Sequence, residues 1–467
     1  MLFSSIIFLV AFLPVCFFFY YVVFRKSRLW RNIFLLFASL VFYAWGEPFY
    51  VLLMIFSIVA NWFCALMMSK QEKLGMRKFW LISAVVIDVA VLFVFKYLGF
   101  FLSNVNALFH AGLTVPKLAL PLGISFFTFQ AMSYVIDIYR GRGSAQKNPL
   151  YVGLYISLFP QLVAGPIVRY ESIESQILER SESISLCAEG IERFILGLSK
   201  KVLLANALGI IADNAFENVE VISTSMAWLG ILSYTLKIYF DFSGYSDMAI
   251  GLGKMFGFQF EENFRYPYIS TSVSEFWRRW HISMGSWFRD YVYFPLSGSR
   301  VPKFRMIFNL FIVWLLTGLW HGANWTFVIW GLFFFVLIVF EKVTKIEKRK
   351  FKLPAKLIFG ALTFFLVMMG WVLFRANDLS AAGQYFIKLF SFSGGNAETL
   401  FFIKNNVIVL IFACIFCFPI KEKLSLLFAK IPKVGEVAKI VVLLLLFFVS
   451  VVYTAQSSYN PFIYFNF

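Results

Sequence analysis

The chain contains only three histidines, and one of them lies where proton-transfer chemistry is expected. His321 stands in TGLWHGANW, at the end of the apolar run IFNLFIVWLLTGLW. An ionisable group there is costly unless it faces a protein interior or a water-filled cavity, so it is a candidate functional residue. The small residues Gly322 and Ala323 follow it, and Thr317 and Asn324 offer hydrogen-bond partners. We expect these neighbours to keep the imidazole neutral and oriented, as a general base requires.

The second candidate, His281, lies in the aromatic and cationic stretch SVSEFWRRWHISMGSWFRDYVYF, residues 272–294. Its aromatic residues recur at a spacing of three to four, which predicts an amphipathic helix whose start is capped by Ser272 or Ser274. This helix is expected either to lie on the cytoplasmic membrane surface or to fold back into a cavity of a helix bundle. For both candidates, a satisfied core or interface histidine is the structural alternative.

Several kinds of chemistry lack their residues in this sequence. No histidine has further His, Cys or carboxylate neighbours at ligand spacing, so no metal site is predicted. No nucleophile elbow, phosphate-binding loop or dinucleotide fingerprint is present. The third histidine, His110, lies in the loop sequence LFHAGL and is expected to be solvated. Two functions remain open from the residues alone: acyl transfer to a hydroxyl, and a proton-coupled transporter or flippase of lipid-linked sugars.

The elements that must position these residues are membrane helices. The chain of 467 residues is 60% hydrophobic, 20% aromatic and only 14% charged, with a mean hydropathy of +0.78, which excludes a soluble globular protein. The composition predicts an all-α, polytopic membrane protein with about 11–13 segments, some of them re-entrant or tilted. The apolar runs lie near residues 3–24, 32–45, 48–69, 79–101, 119–139, 191–212, 222–240, 306–320, 323–340, 356–374, 405–420 and 436–456.

The net charge of +17 reflects topology rather than nucleic-acid binding. Basic residues cluster in short loops such as RKSRLWR (25–31) and KQEKLGMRK (70–78), whereas GEP (46–48) and 376–403 carry few. By the positive-inside rule the basic loops are cytoplasmic, and both the N-terminus and the C-terminal residues 457–467 are expected outside. The first apolar segment is interpreted as a retained helix, and the absence of a long polar stretch predicts one integral membrane domain over residues 1–467.

Four motifs together resemble the membrane-bound O-acyltransferase (MBOAT) family. They are LPLGISFFTFQAMSYVIDIYRG (120–141), YFDFSGYSDMAIG (239–251), WRRWHISMGSWFRDYVYFPLSGSR (277–300) and TGLWHGANWTFVIWG (317–331). Within the family they are similar to the bacterial branch of alginate and peptidoglycan O-acetyltransferases and of the membrane subunit of teichoic acid D-alanylation. The resemblance implies a ring of about 11–13 helices around a central tunnel, where a cytoplasmic and an outer funnel meet.

The resemblance also implies roles for the two candidate histidines. His321 would lie where the funnels meet and act as general base on the acceptor hydroxyl, while His281 would line the donor side. Arg278, Arg279 and Arg289 are then expected to meet an anionic acyl thioester donor such as acetyl-CoA. The alternative for these arginines is a contact with lipid headgroups that only fixes topology.

Other polar residues of the motifs are substrate-binding candidates. Asp241, Ser243 and Tyr245 are expected either to orient the tunnel and bind the donor, or to make buried structural contacts. Asn324, three residues after the candidate base, is a further candidate for holding substrate.

The C-terminal segment SSYNPFIYFNF, residues 457–467, is similar to the aromatic endings of this bacterial branch. The resemblance implies that Tyr464 is a covalent relay nucleophile at the outer mouth, and the alternative is an interfacial aromatic anchor. It further implies an enzyme of the bacterial cytoplasmic (inner) membrane, in contact with membrane lipids and without a nucleic-acid partner. Such an enzyme would pass its acyl group to a separate extracytoplasmic SGNH-type acyltransferase that modifies a polysaccharide.

Overall fold

The computed structural model describes residues 1–163, 165–349, 352–420, 432–456 and 459. Within these ranges every regular element is a helix, which confirms the all-α prediction. The α-helices are Leu13–Phe18, Arg28–Ala44, Tyr50–Ser69, Leu74–Leu92, Leu98–Phe109, Ile124–Tyr139, Pro149–Ser157, Tyr170–Glu179, Ile184–Ser199, Asn206–Glu217, Thr224–Met255, Val273–Arg279, Ile282–Phe288, Lys303–His321, Trp325–Thr344, Leu353–Arg375, Leu379–Phe390, Ala397–Phe416 and Pro432–Gln456. Short π-helical turns cover Phe8–Phe12, Phe19–Val23, Phe93–Tyr97, Lys200–Ala205 and Arg289–Tyr293, and 3₁₀ turns cover Pro267–Ile269 and Ile346–Lys348.

Eight described helical runs are long and apolar enough to cross a bilayer, which confirms a multi-pass membrane protein. They are Tyr50–Ser69, Leu74–Phe109, Ile184–Glu217, Lys303–His321, Trp325–Thr344, Leu353–Arg375, Ala397–Phe416 and Val434–Gln456. This count is below the predicted 11–13, because some apolar runs form shorter helices. Arg28–Ala44 has 17 residues and Ile124–Tyr139 has 16. At 1.5 Å per residue such helices are about 25 Å long, which is shorter than a hydrocarbon core of about 30 Å unless the bilayer thins around them.

The described chain forms two compact units. The first holds Met1–Phe194 and Tyr245–Glu261, and the second holds Ile195–Gly244 and the described residues from Glu262 onward. Both candidate histidines that the motifs single out, His281 and His321, belong to the second unit. The predictions of one integral domain and of a ring of helices around a tunnel stay predictions.

In the first unit, a buried guanidinium joins segments that are distant in sequence. Arg180 is only 5% exposed. Its Nε donates to the Tyr20 hydroxyl at 3.0 Å and to the Phe256 carbonyl at 3.1 Å, and its Nη1 donates to the Asn32 side chain at 2.7 Å. A guanidinium has five N–H donors and is costly to bury unless they are used. These bonds therefore fix the segments that carry the acceptors.

Two local predictions can be compared with this fold. The stretch LYISLFPQLVAGPIVRY (154–170) does not form a straight span, as its prolines predict: Pro149–Ser157 ends before Pro160, and turns follow. The single amphipathic helix predicted for residues 272–294 is wrong, because the backbone breaks at His281 into Val273–Arg279 and Ile282–Phe288.

The start of that segment does follow the prediction. The Ser272 hydroxyl caps Val273–Arg279 by accepting a hydrogen bond from the backbone N–H of Glu275 at 3.0 Å. Ser274 lies inside the helix and does not cap it. A serine at this position satisfies one of the N–H groups that a helix N-terminus leaves without an intrahelical partner.

In the second unit, two spanning helices pack through glycine. A Cβ on Gly318 would lie 2.4 Å from the Phe327 carbonyl oxygen, and a Cβ on Gly331 would lie 2.4 Å from the Trp314 carbonyl oxygen. Small residues allow membrane helices to approach this closely. The contact joins Lys303–His321, which we call the histidine helix, to the next helix, Trp325–Thr344. It thereby fixes the rotation of the histidine helix, whose last residue is His321.

Candidate active site

The His321 imidazole lies among aromatic rings. Its ring centroid is 4.9 Å from Trp320, 4.9 Å from Trp330 and 5.0 Å from Phe374, all in edge-on arrangements. The residue is 3% exposed. These rings shield the imidazole from bulk water and restrict its orientation, as a positioned general base requires.

The residues around His321 explain the small side chains in TGLWHGANW. Gly322 ends the histidine helix in extended backbone, and a Cβ there would lie 2.2 Å from the Phe327 ring. Asn324 caps the next helix by accepting from the Thr326 N–H at 3.0 Å, and its amide donates to the Asn377 carbonyl at 2.8 Å. The described bonds of Asn324 therefore hold the turn after His321. Thr317 donates to the Val313 carbonyl of its own helix at 2.7 Å.

His281 occupies a left-handed backbone conformation, with φ 46° and ψ 53°. Such a conformation costs of order 1 kcal/mol for a residue other than glycine and persists only where neighbours hold it. Two backbone hydrogen bonds flank it: the Ile282 N–H donates to the Asn263 carbonyl at 3.0 Å, and the Arg265 N–H donates to the Arg279 carbonyl at 2.9 Å. Segment 263–265 thus holds the strained turn.

The Asn263 side chain orients the His281 ring. His281 Nδ1 donates to the Asn263 Oδ1 at 3.2 Å, and the same oxygen accepts from the Ser283 N–H at 3.1 Å and the Ser283 hydroxyl at 2.9 Å. The ring packs edge-on against Phe242 at 4.5 Å. Burial lowers the pKa of His281 to about 3, so its imidazole is neutral at physiological pH.

One indole contacts both candidate histidines. The Trp320 ring centroid lies 4.9 Å from His321 and 5.8 Å from His281. The structure therefore brings together the two residues that the separate motifs at 277–300 and 317–331 singled out. Sequence spacing alone gave no sign of this contact, since 40 residues separate the two histidines.

A buried carboxylate supports the segment that ends at His281. Glu341 is 7% exposed and accepts the backbone N–H groups of Val273 at 2.6 Å and Ser274 at 2.8 Å. These are two of the N–H groups that a helix N-terminus leaves without an intrahelical partner. Glu341 and Asn263 were not predicted as functional residues from the sequence. A carboxylate that ends the apolar run TFVIWGLFFFVLIVFE was the available signal for the first.

The polar residues of YFDFSGYSD make buried contacts. In the second unit, Asp241 forms an ion pair with Lys201 at 2.9 Å, and both side chains are almost fully buried. Ser243 is also buried. In the first unit, the Tyr245 hydroxyl donates to the Leu162 carbonyl at 3.1 Å, and the ring stacks on Phe3. These contacts agree with the structural alternative, and substrate binding by these residues stays a prediction.

The three candidate arginines differ in their surroundings. Arg279 pairs with Glu275 at 2.9 Å, and Arg289 pairs with Asp290 at 3.1 Å. Arg278 is exposed and has no carboxylate within ion-pair distance among the described residues. The charge of Arg278 is therefore the least neutralised of the three. Tyr464, the candidate relay, lies outside the described residues.

Comparison with known proteins identifies relatives of this site and fold. The MBOAT, membrane-bound O-acyltransferase, family matches residues 6–377, which include both candidate histidines. A "probable alginate O-acetylase" of Azotobacter vinelandii is 38% identical over all of both chains, and one of Pseudomonas syringae is 43% identical over 84% of this chain and 76% of its own length. A peptidoglycan O-acetyltransferase of Helicobacter pylori is 36% identical over 82% of this chain and 78% of its own length.

Proposed function

Since the chain belongs to the membrane-bound O-acyltransferase family, it is a membrane O-acyltransferase, and we propose that it transfers acetyl groups from a cytoplasmic thioester for O-acetylation of an extracytoplasmic polysaccharide. The names of its relatives support this substrate class, because they act on alginate and on peptidoglycan. The observation that carries the proposal is the burial of His321 among three aromatic rings at the end of a spanning helix. The acyltransferase family membership also favours this function over the transporter alternative.

His321 acts as the general base in this proposal. Its imidazole takes the proton from an acceptor hydroxyl as that oxygen attacks the thioester carbonyl. The new C–O bond forms, the C–S bond breaks, and the imidazolium returns its proton to the departing thiolate. Rings at 4.9–5.0 Å exclude water from the imidazole, so hydrolysis of the thioester is disfavoured.

The donor is acetyl-CoA or a similar thioester that approaches from the side of His281. The Asn263 oxygen fixes the His281 ring, and the exposed Arg278 supplies positive charge on the short helix Val273–Arg279, which ends before His281. Arginine suits the phosphates of such a donor because its planar guanidinium forms paired hydrogen bonds. Arg278 is favoured over Arg279 and Arg289, since both of those already face carboxylates.

The acceptor side involves the C-terminal tail, residues 457–467, and a partner protein. In this proposal the protein lies in the cytoplasmic membrane with both termini outside, as the distribution of basic loops supports. The Tyr464 hydroxyl takes the acetyl group as an ester and passes it to an extracytoplasmic acyltransferase of SGNH type. That partner then acetylates the polysaccharide.

The test uses the purified full-length protein in lipid nanodiscs with acetyl-labelled acetyl-CoA. Wild-type protein should acquire label on Tyr464 and pass it to the partner, whereas His321→Ala should lower transfer by at least about a hundredfold. His110→Ala is the matched control, because His110 is exposed at a helix end, and it should leave transfer unchanged. Equal transfer by wild type and His321→Ala would remove the base assignment. A wild-type protein that labels neither its tail nor the partner would refute the proposed function.

A further inference from the structure

Tyr459, the one described residue of the C-terminal segment 457–467, contacts a polar cluster that is separate from the two histidines. Asp213 lies near the end of the helix Asn206–Glu217, and Arg375 is the last residue of the helix Leu353–Arg375. Arg375 Nη2 pairs with Asp213 Oδ1 at 2.9 Å. The other oxygen of Asp213 accepts a hydrogen bond from the Tyr459 hydroxyl. Tyr459 follows the last spanning helix by three residues.

Two further features of the helix Asn206–Glu217 accommodate Tyr459: a hydrogen bond to its backbone and space for its ring. The Asn206 amide donates to the Tyr459 carbonyl at 3.4 Å. Gly209, on the same helix, leaves room for the ring, because a Cβ there would lie 2.7 Å from the Tyr459 hydroxyl oxygen. Burial and the neighbouring Asp213 carboxylate raise the pKa of Tyr459, so the hydroxyl keeps its proton and remains a donor.

The cluster lies close to the His321 side of the unit. Phe374, the residue before Arg375, contacts the His321 ring at 5.0 Å. Arg375 and the two residues after it line a cavity of about 230 Å³ together with Phe216 and Tyr385. The guanidinium also lies over the Phe216 ring, 5.5 Å from its centroid. Tyr459 is therefore linked through Asp213 and Arg375 to the residue next to Phe374, which contacts the candidate base.

We propose that Asp213, Arg375, Asn206 and Gly209 form an anchor for the C-terminal tail, and that Tyr459 is a positioning residue which sets where the tail's acyl acceptor lies. The positioning part rests on the proposed function. Tyr464 is five residues beyond Tyr459, and five residues of extended chain reach at most about 17 Å. Fixing Tyr459 thus keeps the acceptor residue within about 17 Å of the anchor, and a limited search volume raises the rate of an intramolecular transfer.

The first measurement asks whether the anchor holds the tail. Full-length protein in nanodiscs is treated with chymotrypsin, and intact mass spectrometry follows the loss of the tail. Tyr459→Phe removes the hydroxyl and should speed tail loss about tenfold. Gly209→Ala should do the same by displacing the ring, and alanine is a better helix former than glycine, so this variant tests the anchor without weakening its helix. Tyr453→Phe is the control, because Tyr453 is exposed one turn before the end of the last helix.

The second measurement asks whether the anchor positions the acceptor. In Tyr459→Phe and Gly209→Ala, kcat for acetyl transfer to the tail should fall at least fivefold, while KM for acetyl-CoA should stay within twofold of wild type. A purely structural role would change both or neither. Unchanged tail loss would overturn the anchor, and faster tail loss with unchanged kcat would overturn the positioning role. A wild-type protein that never acetylates its tail would refute the proposed function and the positioning role. The rates of tail loss under chymotrypsin would still show whether the anchor holds the tail.

Discussion

Replacing the buried Glu341 by glutamine tests whether the segment that carries His281 depends on one carboxylate. In the native protein its two oxygens accept the N–H groups of Val273 and Ser274. Glutamine keeps one acceptor and turns an NH₂ group toward the other N–H, so one charge-assisted hydrogen bond is lost, worth about 1.5–3 kcal/mol. Losing the negative charge at the helix N-terminus removes up to about 1 kcal/mol more. We expect a local loss of about 3 kcal/mol, roughly a hundredfold in the opening constant.

Hydrogen exchange with mass spectrometry measures this opening directly. In Glu341→Gln, peptides that cover residues 273–282 should exchange about a hundredfold faster, and acetyl transfer should fall because the turn at His281 loses its support. Glu261→Gln is the control, since the Glu261 ion pair with Arg169 involves a carboxylate that is 54% exposed. Unchanged exchange in residues 273–282, or an equal rise throughout the chain, would refute this explanation of how Glu341 acts.

Three further predictions concern the second unit. The pKa of His281 is lowered to about 3, below its ordinary value of 6.5. Between these two values the folded state binds fewer protons than the unfolded state. The contribution of His281 to the free energy of unfolding should therefore be complete above pH 6.5 and fall by about 1.4 kcal/mol per pH unit below it. Thermal unfolding in detergent from pH 7 to 4.5 should show this slope in wild type and a flatter one in His281→Asn, which tolerates the left-handed backbone; equal slopes would contradict the assignment. Asp241→Asn should destabilise the protein by about 3–5 kcal/mol because it removes the carboxylate opposite the buried Lys201. Adding Lys201→Met should recover at least half of the resulting loss in melting temperature. No recovery would show that the broken ion pair is not the cause of the loss. Gly331→Val should separate the two glycine-packed helices and lower both melting temperature and acetyl transfer, whereas Gly383→Val, at a glycine with open space, should lower neither.

The membrane-helical class was predictable because composition and apolar runs determine it almost completely. The number of spans was harder to predict, since the 17-residue Arg28–Ala44 and the 16-residue Ile124–Tyr139 look like spans in hydropathy alone. The broken helix at His281 was not predictable from periodicity. Aromatic spacing continues through the break, and the left-handed turn depends on hydrogen bonds from the Ile282 N–H to the Asn263 carbonyl and from the Arg265 N–H to the Arg279 carbonyl, both across a large sequence separation.

The candidate site was likewise predictable from the sequence only in part. His321 was singled out because an ionisable residue at the end of an apolar run is rare, His281 because it stands among aromatic and cationic residues, and motif order linked both to a family. Their shared contact with Trp320 and the support from Glu341 depend on tertiary packing. Asp213, Arg375 and Tyr459 were not singled out either, because ion pairs and tail contacts between separate helices leave no periodic pattern in a single sequence.

The indole between the two motifs has a consequence for proton movement. Trp320 touches both imidazoles, but an indole carries one N–H donor and no acceptor, so it cannot receive a proton from either ring. A proton taken up at His321 therefore does not pass through Trp320 to His281. In the proposed reaction the departing thiol carries that proton away from the site. Turnover would then release its proton together with the thiol product.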